Sequence, residues 1–187
     1  MTIVNVYVAH PVGGDVVGNM RLVEKVCEGI FRNRPEVQPL APYLMALKFL
    51  DDNNPAERLR GVSYNREFFA SRFIDEVWLF GSRISAGMWQ EVLWAREFGI
   101  PVLPMTTKTE LDLVRRELSI GSPVQIGVCG PGQEGVGIYR GELVEDGNVA
   151  GLYVEAYGRL HDLWWGDICY IHPAGVPIKS KKRYILQ

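Results

Sequence analysis

The sequence is poor in the features that mark secreted and zinc-binding proteins. It has three cysteines in 187 residues, Cys27, Cys129 and Cys169, and no C-x-x-C pair. Their number is odd and they lie far apart, so neither a disulfide framework nor a cysteine–histidine zinc site is predicted. We expect reduced thiols, no metal and no bound cofactor.

An excess of positive charge and a long apolar run are also lacking. The 20 basic and 22 acidic residues give a formal charge of −2, so nucleic acid and anionic lipid are not expected partners. No segment approaches the roughly 20 apolar residues that span a bilayer. The apolar start carries no basic leader or cleavage signature. We therefore expect a cytoplasmic protein, without a membrane partner, that binds a small molecule.

The first 105 residues alternate between short apolar strands and helices. The strands lack strict alternation of polar and apolar residues, which is typical of parallel strands covered on both faces. Strands are predicted at residues 3–9, in a short segment that ends at 40–41, at 75–80 and at 100–103. Helices are predicted at residues 19–31, 44–50, 54–73 and 86–98. This order predicts an α/β fold with a doubly wound, Rossmann-like parallel sheet.

Local signals fix the ends of several helices. Asn54 is a predicted N-cap before Pro55, with Glu57 placed to complete a capping box. Ser85 caps the next predicted helix and Gly99 ends it. The helix over 19–31 has one apolar stripe, formed by Leu22, Val23, Val26 and Ile30.

After residue 105 the pattern changes to one linking helix within 106–118 and then short β-type runs. These runs cover residues 124–128, 136–144, 152–156 and 168–171 and are separated by glycines. Asp146-Gly147 between two of them is typical of a tight hairpin. Residues 119–187 are therefore predicted to form a small antiparallel β module.

Three loops of the parallel domain follow strand ends, where open sheets of this kind bind ligands. They are residues 10–19, Pro42-Tyr43 and residues 81–91. In the first loop Gly13, Gly14 and Gly18 permit close backbone approach to a phosphate or sugar. Their spacing matches neither the dinucleotide fingerprint nor the Walker loop, and glycines that only make a turn remain the alternative.

The third loop places three informative residues at a helix start. Ser85 supplies a hydroxyl at the cap, Gly87 exposes backbone, and Glu91 adds a carboxylate one turn later. Both Ser85 and Glu91 can border a pocket. The alternative is a solvated glutamate stabilised by the helix dipole.

Residues 3–104 resemble a known family. The segments are Val6 to Pro11, Asn19, Ala41-Pro42-Tyr43, Glu57-Arg58 and, most specifically, DEVWLFGSRISAGMWQEVLWA at 75–95. They resemble uncharacterised bacterial and phage relatives of nucleoside 2-deoxyribosyltransferases. The wider superfamily includes the 2′-deoxynucleoside 5′-monophosphate N-glycosidases.

The resemblance implies roles for individual residues. Glu91 corresponds to the nucleophile, Tyr7 to a tyrosine beside the sugar, and Glu67 to the second acid, with Asn65 nearby. Ser85 stands where transferases acting on unphosphorylated nucleosides have aspartate, which favours a phosphate-bearing substrate. The implied substrate-binding residues are His10, Gly13, Gly14, Asp15, Asn19, Pro42, Arg83, Ser85, Gly87 and Met88.

The sequence departs from the family at two of these positions. His10 replaces a small residue, and Glu67 is longer than the usual aspartate. Without the resemblance, a core aromatic with a satisfied hydroxyl is the preferred interpretation of Tyr7. For His10, a loop histidine and a contact to a phosphate or base are equally good interpretations. Asp75 begins its strand and is assigned to the opposite, structural end of the sheet.

The predicted function is that of an N-glycosidase or deoxyribosyltransferase acting on a (deoxy)nucleoside 5′-monophosphate. The resemblance also implies a homo-oligomer. One alternative is a non-catalytic nucleotide-binding module. The other is a nucleic-acid surface on the C-terminal module, opposed by the simpler interpretation of a core tryptophan and a solvated tail. The residues of this predicted nucleic-acid surface are Trp164, Trp165, Lys179, Lys181, Lys182 and Arg183.

Overall fold

The structure, a computed structural model, describes residues 3–128, 134–145, 148–164 and 168–174. The chain divides into two compact units, Met1–Thr109 and Glu110–Gln187, which we treat separately. In the described residues, no helix combines the length and apolar character needed to cross a membrane.

The first unit is a four-stranded parallel sheet with helices between its strands. Its elements in chain order are β1 (Val4–Ala9), α1 (Val16–Asn33), β2 (Val37–Leu40), α2 (Tyr43–Phe49), α3 (Pro55–Ala70), β3 (Glu76–Leu79), α4 (Ala86–Glu97) and β4 (Val102–Pro104). The strand order is β2-β1-β3-β4, and every neighbouring pair is parallel. The predicted α/β class and parallel sheet are confirmed.

The core of this unit lies around the two central strands. Residues 6–9 of β1 and 77–79 of β3 have no solvent-exposed surface. Tyr7 is level with Leu40 of β2 and with Val77 of β3. The carboxyl ends of β1, β2 and β3 therefore meet at one edge of the sheet. Asp75 lies at the other end, where it accepts a hydrogen bond from the backbone N–H of Asn5 at 2.8 Å, as expected.

Helix α1 begins three residues before the predicted start. Asp15 is its N-cap and accepts the backbone N–H of Gly18 at 2.9 Å. A Cβ on Gly18 would collide with the Asp15 carboxylate, so glycine at this position permits the cap. The predicted stripe was wrong at Leu22, which is 47% exposed, because the buried side of α1 is centred on Val23 and Ile30.

Helix α3 uses its predicted cap but not the full capping box. Asn54 accepts the N–H of Ala56 at 3.0 Å. Glu57 accepts the N–H of Asp51 at 2.8 Å, whereas the Asn54 N–H donates to the Asp51 carbonyl. The helix ends at Ala70, before the predicted 73, and Arg72 adopts a positive φ of 55°.

Helix α4 begins at the predicted residue 86 and ends at Glu97, one residue before the predicted end. Ser85 is the N-cap, and Gly99, with φ of +70°, follows the C-cap. Glycine is favoured there because left-handed backbone strains other residues.

The second unit is a five-stranded antiparallel sheet. It follows α5 (Thr107–Glu117), and its strands are β5 (Pro123–Val128), β6 (Glu134–Glu145), β7 (Asn148–Ala156), β8 (Arg159–Trp164) and β9 (Ile168–Pro173), in the order β8-β7-β6-β5-β9. The predicted antiparallel module is confirmed, except that β8 was missed. Almost all side chains of β8 are exposed, so this strand lacks the alternation of apolar and polar residues that identifies a strand in a sequence.

Two predictions for this unit fall on parts of the chain that are not described. Asp146-Gly147 lies outside the described residues, between β6 and β7, whose ends pair at Glu145 and Asn148. Trp164 is 40% exposed, and Trp165 and the basic tail are outside the described residues. The nucleic-acid alternative therefore stays a prediction.

Candidate functional site

Glu91 occupies a core position of α4. The buried residues of that helix are Met88, Glu91, Val92, Trp94 and Ala95. Positions 88, 91, 92 and 95 recur at the spacing of one helical face, so the carboxylate is carried into the apolar interior. Only 8% of Glu91 is exposed. The alternative of a solvated surface glutamate is wrong.

Tyr7 meets this carboxylate from the central strand. Its hydroxyl donates to Glu91 Oε1 at 2.6 Å, and the whole side chain is buried. The two residues are 84 positions apart in sequence. They meet because β1 and β3 are neighbours and α4 follows β3 directly.

Asn65 of α3 is the third member of the cluster. Its Nδ2 donates to the Tyr7 hydroxyl at 2.8 Å and to Glu91 Oε1 at 3.2 Å. Its Oδ1 lies 3.1 Å from the same hydroxyl, but that hydroxyl has one proton, and the shorter contact assigns the proton to Glu91. Both donors therefore act on Oε1. Among the described residues, none donates a hydrogen bond to Oε2.

Burial controls the protonation of these groups. Removal from water raises the pKa of Glu91 to about 7, although the hydrogen bonds from Tyr7 and Asn65 favour the ionised form. Burial, followed by the Glu91 charge, raises the pKa of Tyr7 well above its ordinary value. Near neutral pH, Glu91 thus exists in both forms while Tyr7 keeps its proton.

Aromatic side chains surround the cluster. The ring of Tyr7 lies 4.9 Å from that of Phe69 and 5.8 Å from that of Tyr43, and Phe69 packs on Trp94 at 5.6 Å. Tyr43 follows β2 in the chain and is the first residue of α2. Its hydroxyl donates to the Val8 carbonyl of β1 at 2.9 Å. The burial of Glu91 beside Tyr7 removes its carboxylate from water, which is the cause of its shifted pKa.

Glu67 does not join this cluster. It is exposed, two residues along α3 from Asn65 and about 200° around a helix with 3.6 residues per turn. The structure therefore corrects the interpretation of Glu67 as the second acid: α3 contributes the amide of Asn65. The spacing of Asn65 and Phe69, both buried and one turn apart, was the available sequence signal.

The first loop is held by its own polar side chains. Asp15 caps α1, and Asn19 donates to the Gly13 carbonyl at 3.1 Å. Gly14 has φ of +86°, so the turn itself requires glycine. Gly13 is different, because nothing lies within 4 Å of the place where a Cβ would sit. Close packing within the described chain therefore does not explain why residue 13 is a glycine.

The first and third loops touch each other. His10 is half-buried and its Nδ1 lies 2.8 Å from the Pro11 carbonyl oxygen. A Cβ on Gly81, which has φ of +95°, would lie 2.6 Å from Pro11 Cδ. Thr106 lies two residues after the end of β4. Its hydroxyl donates to the Gly81 carbonyl at 2.9 Å and so ties the third loop to the segment that follows β4. Of the three loops that are expected to converge at this edge, the first and the third are therefore in contact.

The remaining predicted binding residues lie at helix starts or, for Arg83, in the loop before one. Ser85 Oγ accepts the Met88 N–H at 3.2 Å, and the Met88 side chain is buried in the core. Gly87 is exposed, and a Cβ there would meet nothing closer than Ser85 Oγ at 3.9 Å. Arg83 is exposed, and Pro42 is half-buried at the N-cap of α2.

A separate groove of about 540 Å³ lies along α1 and α2, away from Glu91. It is lined by Glu24, Cys27, Glu28, Phe31, Arg32, Ala41 and Leu44. Burial raises the pKa of the Cys27 thiol to about 11, which makes it a poor nucleophile. Within the described part of the chain, no three acidic, histidine or cysteine side chains form a group that could hold a metal ion.

Comparison with known proteins identifies the family of the first unit. No curated protein matches the chain, and no solved structure matches it. Residues 4–105 match the family described as "Domain of unknown function (DUF7768)", and this range contains Tyr7, Asn65 and Glu91. Since the match covers more than half of the 187 residues, the chain belongs to the DUF7768 family.

Proposed function

We propose that the domain at 4–105 cleaves or transfers the N-glycosidic bond of a (deoxy)nucleoside 5′-monophosphate, with Glu91 as nucleophile. One observation carries the proposal. A buried carboxylate has one oxygen fixed by two donors, while no described residue donates to the other. The proposed setting is the edge of a doubly wound, Rossmann-like sheet, where nucleotides bind.

The chemistry needs a carboxylate beneath the anomeric carbon. Breaking the bond between C1′ and the base develops positive, oxocarbenium-like charge at C1′. With Oε1 held by Tyr7 and Asn65, Oε2 is the oxygen that can form a bond to C1′. Water, or a second base in a transfer reaction, then displaces the glutamate and releases the sugar.

The start of α4 is suited to the 5′-phosphate. The Ser85 oxygen accepts the Met88 N–H, so its own proton remains available to a phosphate oxygen. The N–H groups of Ala86 and Gly87 lie in the first helical turn, where no intrahelical acceptor exists. The bare surface at Gly87 leaves room for the phosphate to approach them. Arg83 is exposed in the preceding loop and can add positive charge.

Entry to the site requires movement. Only 8% of Glu91 is exposed, so a sugar reaches Oε2 after side chains around the cluster shift. Such closure has a chemical use, because it excludes water and strengthens the field of the carboxylate.

The decisive experiment follows the release of free base. The protein is incubated with deoxynucleoside and ribonucleoside 5′-monophosphates, and the base is separated by chromatography. We expect Glu91→Gln to lose at least about 1,000-fold in rate, as for a removed nucleophile. Glu97→Gln is the matched control, since Glu97 lies on the same helix in an exposed ion pair with Arg66 at 2.6 Å. Equal release from the wild type and Glu91→Gln contradicts the proposal.

A non-catalytic nucleotide-binding module is the second candidate. The nearly closed environment of Glu91 favours it, because a buried carboxylate can also recognise a sugar hydroxyl. Thermal stabilisation by a nucleoside monophosphate, with no base released over hours, would establish it. A cytoplasmic location and self-association stay predictions.

A further inference from the structure

The groups that face the Glu91 carboxylate are neutral. β1 contributes the Tyr7 hydroxyl and α3 contributes the Asn65 amide. Tyr43, packed against Tyr7, keeps its proton because burial raises its pKa well above the ordinary value. The acidic residue nearest to Asn65 on α3, Glu67, is on the exposed side. In the described residues, Glu91 is thus the one charged group of the cluster.

This arrangement differs from that of a two-carboxylate glycosidase. There, a second carboxylic acid protonates the leaving group as the bond breaks. Here the Tyr7 proton is held by Glu91 Oε1 at 2.6 Å, and an amide such as that of Asn65 is not an acid. The described cluster therefore contains a nucleophile but no group suited to give a proton to a departing base.

The consequence depends on the charge of the base. When the bond between C1′ and nitrogen breaks, its electron pair moves to the nitrogen. A neutral base then becomes an anion and needs a proton. A base bonded through a cationic ring nitrogen, as in an N-ribosylpyridinium, becomes a neutral molecule and needs none.

Building on the proposed function, we propose that the substrate is a nucleoside 5′-monophosphate whose base is cationic at its ring, of the N-ribosylpyridinium type. Glu91 Oε2 bonds to C1′ as the bond from C1′ to nitrogen breaks, and the base leaves neutral. Water oxygen then bonds to C1′, the Oε2 bond breaks, and the water proton passes to solvent.

The charges of such a substrate match those of the site. The cationic ring lies near an ionised carboxylate in surroundings that exclude water, where opposite charges attract strongly. The aromatic side chains beside the carboxylate, Tyr43 among them, favour a flat cation because ring faces attract positive charge. The phosphate, at the other end of the molecule, meets the N–H groups at the start of α4.

The test compares pairs of substrates that differ in base charge. The first pair is nicotinamide mononucleotide and its reduced form, and the second is 7-methylguanosine 5′-monophosphate and guanosine 5′-monophosphate. Base release by the full chain is measured as kcat/KM. We expect the cationic member of each pair to be cleaved about 100-fold faster or more, the contribution typical of a positioned acid. Uncatalysed rates are subtracted, and Glu91→Gln and Glu97→Gln serve as the inactive and the matched control variants.

The outcomes separate the two proposals. Preference for the cationic member of both pairs, lost in Glu91→Gln, supports the inference. Equal or faster cleavage of the neutral members, still lost in Glu91→Gln, overturns the inference and leaves the proposed function intact. Release that is absent from all four substrates and from the deoxynucleoside monophosphates overturns both.

Discussion

The two units of this chain differ in how their buried residues are grouped, although each buries a glutamate, Glu91 in the first and Glu110 in the second. In the first unit the Glu91 carboxylate is hydrogen-bonded to two other buried groups, the Tyr7 hydroxyl and the Asn65 amide, at the edge of the parallel sheet. The buried cluster of the second unit is hydrophobic and combines α5 with the antiparallel strands, whereas its described ion pairs, such as Arg140–Glu155, are partly exposed. Burying an ionisable group is costly, so a fold keeps one where it has a use. Because Glu91, unlike an isolated buried group, is hydrogen-bonded to Tyr7 and Asn65, the chemistry that we propose is placed in the first unit.

The largest effect on stability is expected from the core of the second unit. Leu152 has no exposed surface and lies in the middle of β7. Leu152→Ala should lower the free energy of unfolding by about 2–5 kcal/mol, the usual cost of a buried cavity. Denaturant unfolding followed by circular dichroism measures this cost. A loss below about 1 kcal/mol would contradict the hydrophobic interpretation of this unit.

A pH-dependent effect of similar size is expected in the first unit. The pKa of Glu91 is raised from 4.5 to about 7, so folding favours the protonated form. Its stabilising contribution is complete below about pH 4.5 and is lost as pH rises through 7. Glu91→Gln, which stays neutral, should therefore exceed wild type in stability by about 3 kcal/mol at pH 8 to 9 and equal it near pH 4.

Denaturant midpoints at both pH values test this prediction, with Glu97→Gln as the exposed control. The control should show no comparable gain at high pH. Equal stability of Glu91→Gln and wild type across the range would mean that Glu91 is not buried in an apolar environment.

A smaller effect is expected when a donor to Glu91 is removed. The Tyr7 hydroxyl bond favours the ionised carboxylate, so Tyr7→Phe should raise the pKa of Glu91 further. In a plot of kcat/KM against pH, the limb that rises as Glu91 ionises should then move to higher pH. Activity at pH 7 should fall about 10-fold. Recovery at high pH distinguishes this positioning role from a general structural loss. A uniform decrease at all pH values would refute it.

The smallest effects should separate two glycines of the same domain. Gly18→Ala forces out the Asp15 cap of α1 and should cost about 0.5–2 kcal/mol. Gly87→Ala has free space and lies within α4, so stability should be unchanged or increased by up to about 1 kcal/mol. We expect Gly87→Ala instead to weaken nucleotide binding, which calorimetry or thermal shift measures. Unchanged binding would remove Gly87 from the proposed phosphate site.

Much of the first unit could be predicted because its signals are local. Asn54 before Pro55, Ser85 before α4 and Gly99 after it act within one helical turn, and the structure shows all three in these roles. The missed strand β8 shows the opposite case. Its residues, Arg159–Trp164, form a strand because β7 offers an unpaired edge, not because of their own pattern.

The site was predictable only in part for the same reason. Glu91 and Tyr7 were identified by resemblance, and the structure brings them together. The choice between Asn65 and Glu67 depends on the rotation of α3 about its axis, which its weakly patterned sequence does not fix. Packing of Phe69 against Tyr7 decides it, and that packing turns Asn65 inward.

The sequence by itself determined the α/β order, the N-caps of α3 and α4, the antiparallel module and the presence of a carboxylate after the third strand. These follow from hydrogen bonds and apolar periodicity among residues near each other in the chain. Only the tertiary structure decided that this carboxylate is buried, that its Oε1 is held by Tyr7 and Asn65, and that its pKa lies near 7. Those properties arise from contacts between residues 26 and 84 positions apart, which exist only once the sheet has formed.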